Sequence, residues 1–386
     1  MLDVPHKPHT LSARPLLFPS KTPSHSSSGF PPCAGNLNGR RSGVRDLSFW
    51  VRDLLFALCA SSLRISGEME RLKQLLFLCL LDVSVARPAA KQSAGAAVNE
   101  RPIIGIITQE VSDHDMLPFG KTYIPASYVK YVESAGARVV PIRLNQTRGE
   151  YEKVFSQING LLFIGGAVDL EKSDYALTAR IFYKLAVEAN SRGDYFPVWG
   201  TCMGLQLLTV LVSGEDLLSR TPAENISMPL NLTTEARSSR MFRNFPLDLF
   251  AALSHEPLTG NFHHYGVTEK VFKGNERLSR FFSILSTNQA EDGSVFVSTI
   301  EGRRYPFYAV QWHPEVNRFQ WNPDYNYPHS PHATHLSTLL ADFFISEGRR
   351  SHHSFSSPEE EAKALIYNCV PTYTANFTAY EQVYFF

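Results

Sequence analysis

Cys202 stands between two glycines in the run Pro197-Val198-Trp199-Gly200-Thr201-Cys202-Met203-Gly204-Leu205-Gln206. The apolar segment Phe196 to Trp199 leads into it. A second apolar segment, Leu205 to Val212, leaves it and is interrupted only by Gln206 and Thr209. The pattern reads as strand, tight turn and helix, with Cys202 at the corner. Flanking glycines suggest a backbone strained enough to lift one side chain out of the turn. A cysteine there sits at a helix N-terminus, where the positive end of the dipole favours the nucleophilic thiolate. The amide of Met203 then points to where an oxyanion would form. For an isolated Gly-x-Cys-x-Gly, a buried structural cysteine is an equally good reading.

The balance tips at Tyr308-Ala309-Val310-Gln311-Trp312-His313-Pro314-Glu315. A second apolar strand ends there in a histidine, with a carboxylate two residues on. A thiol nucleophile needs a base, and the base needs a group that holds its tautomer. Cys202, His313 and Glu315 supply all three.

These residues need a scaffold. Ile103 to Ile107, Arg138 to Ile142, Leu161 to Ile164 and Phe196 to Trp199 read as strands. Ala126 to Ala135, Ala176 to Ala189 and Leu205 to Val212 read as helices, and Gly136 closes the first of them. Strands and helices alternate, and the strands are apolar throughout. That predicts an α/β fold with a parallel sheet covered on both faces, three layers in all. Sites in such sheets lie beyond the carboxyl ends of the strands. Gly165-Gly166, Cys202 and His313 all fall at strand ends, so three separate segments point to one crevice. Farther on, Thr334 to Glu347 reads as a helix, Glu359-Glu360-Glu361 as a helix start, and the aromatic C-terminal tail as packed on the domain.

Gly-x-Cys-x-Gly-x-Gln, followed about a hundred residues later by Gln-x-His-Pro-Glu, resembles the class I glutamine amidotransferase superfamily, a flavodoxin-like fold. The stretches Tyr128 to Pro141, Gly165 to Leu170 and Asp194 to Cys202 are similar to the gamma-glutamyl hydrolase family. The resemblance covers residues 101–386 and not the first hundred. It implies a cysteine peptidase that cleaves γ-glutamyl amide bonds of folate and antifolate poly-γ-glutamates through an acyl-enzyme on Cys202. It also implies that Gly166 and Met203 supply the oxyanion donors and that His263 lies in the cleft. Tyr128, Gln206 and Gln311 would bind the glutamyl head. Gln206 departs from this family, where a glutamate is common, and matches the wider superfamily. A homodimer working in the lysosome and extracellular space without a cofactor completes what the resemblance implies.

The rest of the chain bears on that picture. Lys+Arg and Asp+Glu are both 37, so the formal net charge is zero and nothing argues for a nucleic-acid partner. No stretch is long and apolar enough to span a membrane. No Cys/His metal spacing, phosphate loop or dinucleotide fingerprint appears. Residues 1–68, rich in Pro, Ser, Arg and His up to Gly43, read as a disordered upstream extension. Residues 69–86 then give Glu70-Arg71-Leu72-Lys73, the apolar run Leu75 to Leu81, and Ser84-Val85-Ala86. That is the basic, apolar and small-residue order of a secretory signal peptide, blemished by Asp82. An apolar helix of the folded domain is the alternative. Residues 87–100 form a linker, and 101–386 one catalytic domain. Cleavage near Ala86 would remove Cys33, Cys59 and Cys79 and leave Cys202 and Cys369. If Cys202 is the nucleophile, no intrachain disulfide can form. Asn145, Asn225, Asn231 and Asn376 begin glycosylation sequons, in keeping with a secretory route. Two other functions fit the residues less well. A non-catalytic γ-glutamyl-binding protein is opposed by the intact Cys202, His313 and Glu315. A glutaminase-type subunit feeding a synthase is opposed by the signal segment, the sequons and the lack of a synthase domain.

Overall fold

The computed structural model describes residues 98–386. The signal-like segment 69–86 and the extension before it lie outside the described residues. Strands are numbered here in chain order. The main sheet runs β4 (Arg138–Ile142), β1 (Ile103–Ile107), β5 (Gly160–Phe163), β6 (Val198–Thr201), β12 (Phe307–Val310), β11 (Val295–Gly302), β10 (Phe282–Gln289) and β8 (Asn231–Leu232). The pairs from β4 to β12 are parallel. Those from β12 to β8 are antiparallel. The parallel sheet read from the sequence therefore holds for the half that carries the glycine pair, Cys202 and His313, and is corrected for the other half. Only residues 290–294 join β10 to β11. So short a connection makes a hairpin, because a parallel crossover needs a dozen residues or more.

Every residue of β1, β5, β6 and β12 is buried, as a sheet covered on both faces requires. Helices Asp174–Ser191 and Met203–Ser213 pack together in one group, and Ala126–Glu133 and Pro331–Gly348 in another. Local chemistry sets their ends. Ser173 and Ser330 accept amides of their first turns, and Gly136 (φ 81°) and Gly214 (φ 84°) take the left-handed conformation beyond helix ends. Ser357 caps the helix Pro358–Ala364, whose first turn holds the three consecutive glutamates. The tail packs as expected. β13 (Thr372–Tyr373) and β14 (Gln382–Phe385) join β3 (Thr122–Pro125) and β2 (Gln109–Glu110) in a second sheet. A third pairs β7 (Ser219–Met228) with β9 (Thr259–Gly266).

The strand before Cys202 begins two residues later than the apolar pattern suggests. Its register is set by the pairing of Thr201 with Val310 on β12, and Pro197 has no N–H to offer a ladder. The glycines beside Cys202 serve close approach. A Cβ on Gly204 would stand 2.2 Å from the carbonyl oxygen of Phe163, and one on Gly200 2.6 Å from that of Gly204. The helix after Cys202 is thus pressed onto the ends of β5 and β6. Alanine in place of a helical glycine ordinarily stabilises a helix by about 0.5–1 kcal/mol. Here Gly204→Ala should do the reverse and cost about 1–3 kcal/mol through overpacking, seen as a lower urea midpoint. An unchanged or raised midpoint would refute this account of the turn.

Candidate active site

Cys202 is held at φ 53°, ψ −109°, which is left-handed territory that few non-glycine residues enter. Its amide donates to the Val310 carbonyl at 2.8 Å, tying the corner to β12. The helix Met203–Ser213 starts immediately after it, so the Met203 amide lies in the first turn and has no intrahelical acceptor. Both cysteines of the described region, Cys202 and Cys369, are free thiols.

His313 lies just past the end of β12, and its amide donates to the Gly260 carbonyl on β9 at 2.9 Å. Its ring Nδ1 is 2.7 Å from Glu315 Oε1. A carboxylate at that distance accepts the hydrogen bond of Nδ1–H and leaves Nε2 as the nitrogen that exchanges protons. The Cys202 sulfur lies near enough to the ring for its charge to act on it. Burial by itself pushes the imidazolium down. The Glu315 carboxylate, and then the Cys202 sulfur, outweigh it and hold His313 well above the ordinary histidine range. Cys202, His313 and Glu315 therefore come together as the sequence suggested.

The glycine loop after β5 meets them. A Cβ on Gly165 would stand 2.7 Å from His313 Cε1 and 3.4 Å from Cys202 Cβ. The Gly165 amide donates to the Tyr128 hydroxyl at 2.9 Å, and that hydroxyl lies 3.3 Å from His313 Nδ1. Tyr128, expected at the glutamyl head, is thus buried between the loop and His313. Gln206 and Gln311 are also committed to the protein. Gln206 Nε2 donates to the Tyr265 carbonyl at 2.8 Å and to Gln311 Oε1 at 3.4 Å. Gln311 Nε2 in turn reaches the Cys202 sulfur at 3.6 Å. The Tyr265 carbonyl can only accept, so the polarity of this chain is set and an N–H is delivered to sulfur.

His263 lies on β9, 5% exposed, with its ring edge-on to Phe296 at 4.8 Å between centroids. Neither ring nitrogen has a hydrogen-bond partner. Burial, then the neighbouring His313 charge, lower its pKa from 6.5 to about 3. His264, by contrast, is exposed and faces Glu224 at 3.6 Å. Sequence reasoning missed two residues here. Gln109 contacts the glycine loop, and Tyr380 of the tail comes near enough to Cys202 and Glu315 to feel their charge. Neither lies in a stretch whose types or spacing mark a site. Among the described residues no cluster of three or more His, Cys, Asp or Glu could hold a metal, and no helix is long and apolar enough to cross a membrane.

Fold and site together define a class, an α/β scaffold with a cysteine, a histidine and a carboxylate gathered at its strand ends. The peptidase C26 family model matches residues 102–315. Gamma-glutamyl hydrolase from Homo sapiens is 50% identical over 288 residues, which cover 74% of this chain and 90% of that protein. The Bos taurus gamma-glutamyl hydrolase is 48% identical over 319 residues, covering 82% of this chain and 100% of the other. Gamma-glutamyl hydrolase B of Dictyostelium discoideum is 41% identical over 291 residues, 75% of this chain and 84% of its own. The chain belongs to the peptidase C26 family of cysteine peptidases, with the gamma-glutamyl hydrolases as its relatives.

The buried neutral His263 has a measurable consequence. Its folded pKa is depressed, so the unfolded chain takes up a proton that the folded one refuses. The stability its neutrality contributes is complete above about pH 6.5 and is lost as pH falls toward 3. Between pH 6.5 and pH 5 the wild type should lose about 2 kcal/mol more than His263→Gln in urea unfolding. Equal losses would show that His263 is not a buried neutral group.

Proposed function

We propose that this protein hydrolyses γ-glutamyl amide bonds, with Cys202 as the nucleophile. The observation that carries the reading is the junction of Cys202 at a strained corner with a His313–Glu315 pair at 2.7 Å, in a chain half identical to a gamma-glutamyl hydrolase. Sulfur, paired as the thiolate with the His313 imidazolium, attacks the γ-carbonyl carbon. The C–N bond then breaks, and the imidazolium gives its proton to the leaving amine. Water, deprotonated by the now neutral His313, attacks the thioester; the C–S bond breaks, and the acid product and the thiolate are released with the imidazolium restored. The amides of Met203 and Gly166 receive the developing oxyanion in both halves. Glu315 holds the ring tautomer. Gln311 steadies the sulfur, which makes its role support of the nucleophile more than substrate contact.

The substrates proposed are folate and antifolate poly-γ-glutamates. Support comes from the aromatic cluster beside the histidine, where Phe262 lies 5.7 Å from His313 and is flanked by Tyr325 and Tyr327. Planar rings of that kind suit a pteroyl group. His263, with two free ring nitrogens, is proposed to hydrogen-bond the substrate as a neutral imidazole. Residues 101–386 are taken as one catalytic domain.

We also propose a secretory route to lysosome and extracellular space, and a homodimer, which light scattering would test. Asn145, Asn231 and Asn376 are exposed, as acceptors must be. Asn225 is only half-exposed, and its side chain is bound to Asp324 and Asn326. A chain starting at Met69 should be secreted, glycosylated, and begin near Arg87 on N-terminal sequencing. Retention of that segment without glycan would overturn the route.

Cys202→Ala and His313→Ala should each lower turnover of pteroyl-di-γ-glutamate on the order of 10⁴-fold or more, with the double variant little worse than either. Near-normal turnover by Cys202→Ala would end the nucleophile assignment, and additive losses would mean separate roles.

Linkage should matter as well. A γ-linked residue keeps its α-carboxylate free, whereas an α-linked one loses it to the peptide bond and shortens the reach of the reacting carbonyl. Leaving the partner of that carboxylate unpaired costs about 3 kcal/mol or more, so kcat/KM for γ over α linkage should exceed roughly a hundredfold. Comparable values would leave a general cysteine peptidase.

A further inference from the structure

Gln109 is 2% exposed and lies on the glycine loop. Its Nε2 donates to the Gly165 carbonyl at 3.0 Å, and its Oε1 accepts the Ala167 amide at 3.2 Å. The Tyr123 hydroxyl also donates to Oε1, at 3.4 Å. Two donors converge on one atom, so that atom is the oxygen, and the NH₂ must face the Gly165 carbonyl. A Cβ on Gly166 would come within 2.1 Å of both polar atoms of Gln109, so this glycine lies directly against the side-chain amide.

Three loop amides are then accounted for differently. Gly165 N–H is held by Tyr128 and Ala167 N–H by Gln109. Gly166 N–H has no partner among the described residues. The Gly165–Gly166 peptide is trans, and in a trans peptide the carbonyl and the N–H point in opposite directions. Holding the Gly165 carbonyl against Gln109 therefore turns the Gly166 N–H away from Gln109. Cys202 and His313 stand against Gly165, at the distances given above. A peptide between two glycines has little steric reason of its own to keep one orientation. If it turned over, a carbonyl would replace a donor where negative charge develops.

We infer that Gln109 is the positioning residue of the oxyanion site, clasping the loop at both ends so that, of its three amides, the Gly166 N–H is the one offered to the reacting oxygen beside Met203. It touches no substrate atom. The inference rests on the nucleophile reading proposed above.

Gln109→Glu keeps an acceptor for Ala167, loses the donor to Gly165 and sets a carboxylate against its carbonyl. Gln109→Met fills similar volume with neither donor nor acceptor. With pteroyl-di-γ-glutamate, each should lower kcat about 10²-fold while KM stays within about twofold, because the lost contact exists only once the oxyanion forms. The second readout uses two ligands. N-benzoylglutamate γ-semialdehyde adds to a thiol as a hemithioacetal, with the sulfur–carbon bond formed and the thiol proton ending on the former aldehyde oxygen. N-benzoylglutamate forms no such bond. Aldehyde affinity should fall in step with kcat, and benzoylglutamate affinity should not change. If one variant does not fold, the other decides. Turnover within about threefold of wild type, or an equal loss of affinity for both ligands, overturns the inference. Failure of the underlying reading looks different, since Cys202→Ala would then stay active whatever the Gln109 variants do.

Discussion

The backbone of Cys202 is the constraint on which the site depends. A non-glycine residue at φ 53° carries strain of about 1–3 kcal/mol, and it persists only where its surroundings leave no alternative. Here β6 is paired on both sides, the Cys202 amide is bonded to β12, and the next helix is pressed on the Phe163 carbonyl through Gly204. Relaxing Cys202 would mean pulling that helix off the sheet. The strain buys a thiol at the mouth of a helix N-terminus, clear of the strand that delivers it.

The chemistry is then gathered by sheet order. β5, β6 and β12 are neighbours, and their carboxyl ends deliver Gly165, Cys202 and His313 in that spatial sequence. The antiparallel strands extend the sheet and place β9 so that Gly260 bonds the His313 amide and His263 faces the site. A doubly covered parallel core fixes the positions. The polar residues around it fix orientations.

Those orientations follow from groups that can act in only one way. The Tyr265 carbonyl can only accept, so Gln206 and Gln311 pass a donor to sulfur. Glu315 accepts from Nδ1, so His313 presents Nε2. In a buried site such chains are stiff, because breaking one link leaves a polar group without water or partner. His263 lies outside these chains. It is buried and unpartnered, kept neutral by its surroundings.

Much of this was legible in the linear chain. Apolar runs at strand and helix periods located the parallel strands, and Gly-x-Cys-x-Gly with His-Pro-Glu singled out Cys202, His313 and Glu315, which the fold brings together. The antiparallel half was not legible, since a buried antiparallel strand is as apolar as a parallel one and only the short connection of residues 290–294 betrays it. Nor were the roles of amide side chains. Gln109, Tyr128, Gln206 and Gln311 differ from ordinary polar residues only by what they touch. Those contacts join positions 14 to 185 residues apart, with Gln109 reaching Gly165 across 56 and Cys202 meeting Gln311 across 109. The residue types of the site were thus set by the sequence. Which hydrogen each amide presents, and to which atom, was decided only when tertiary packing brought fixed carbonyls and hydroxyls against them.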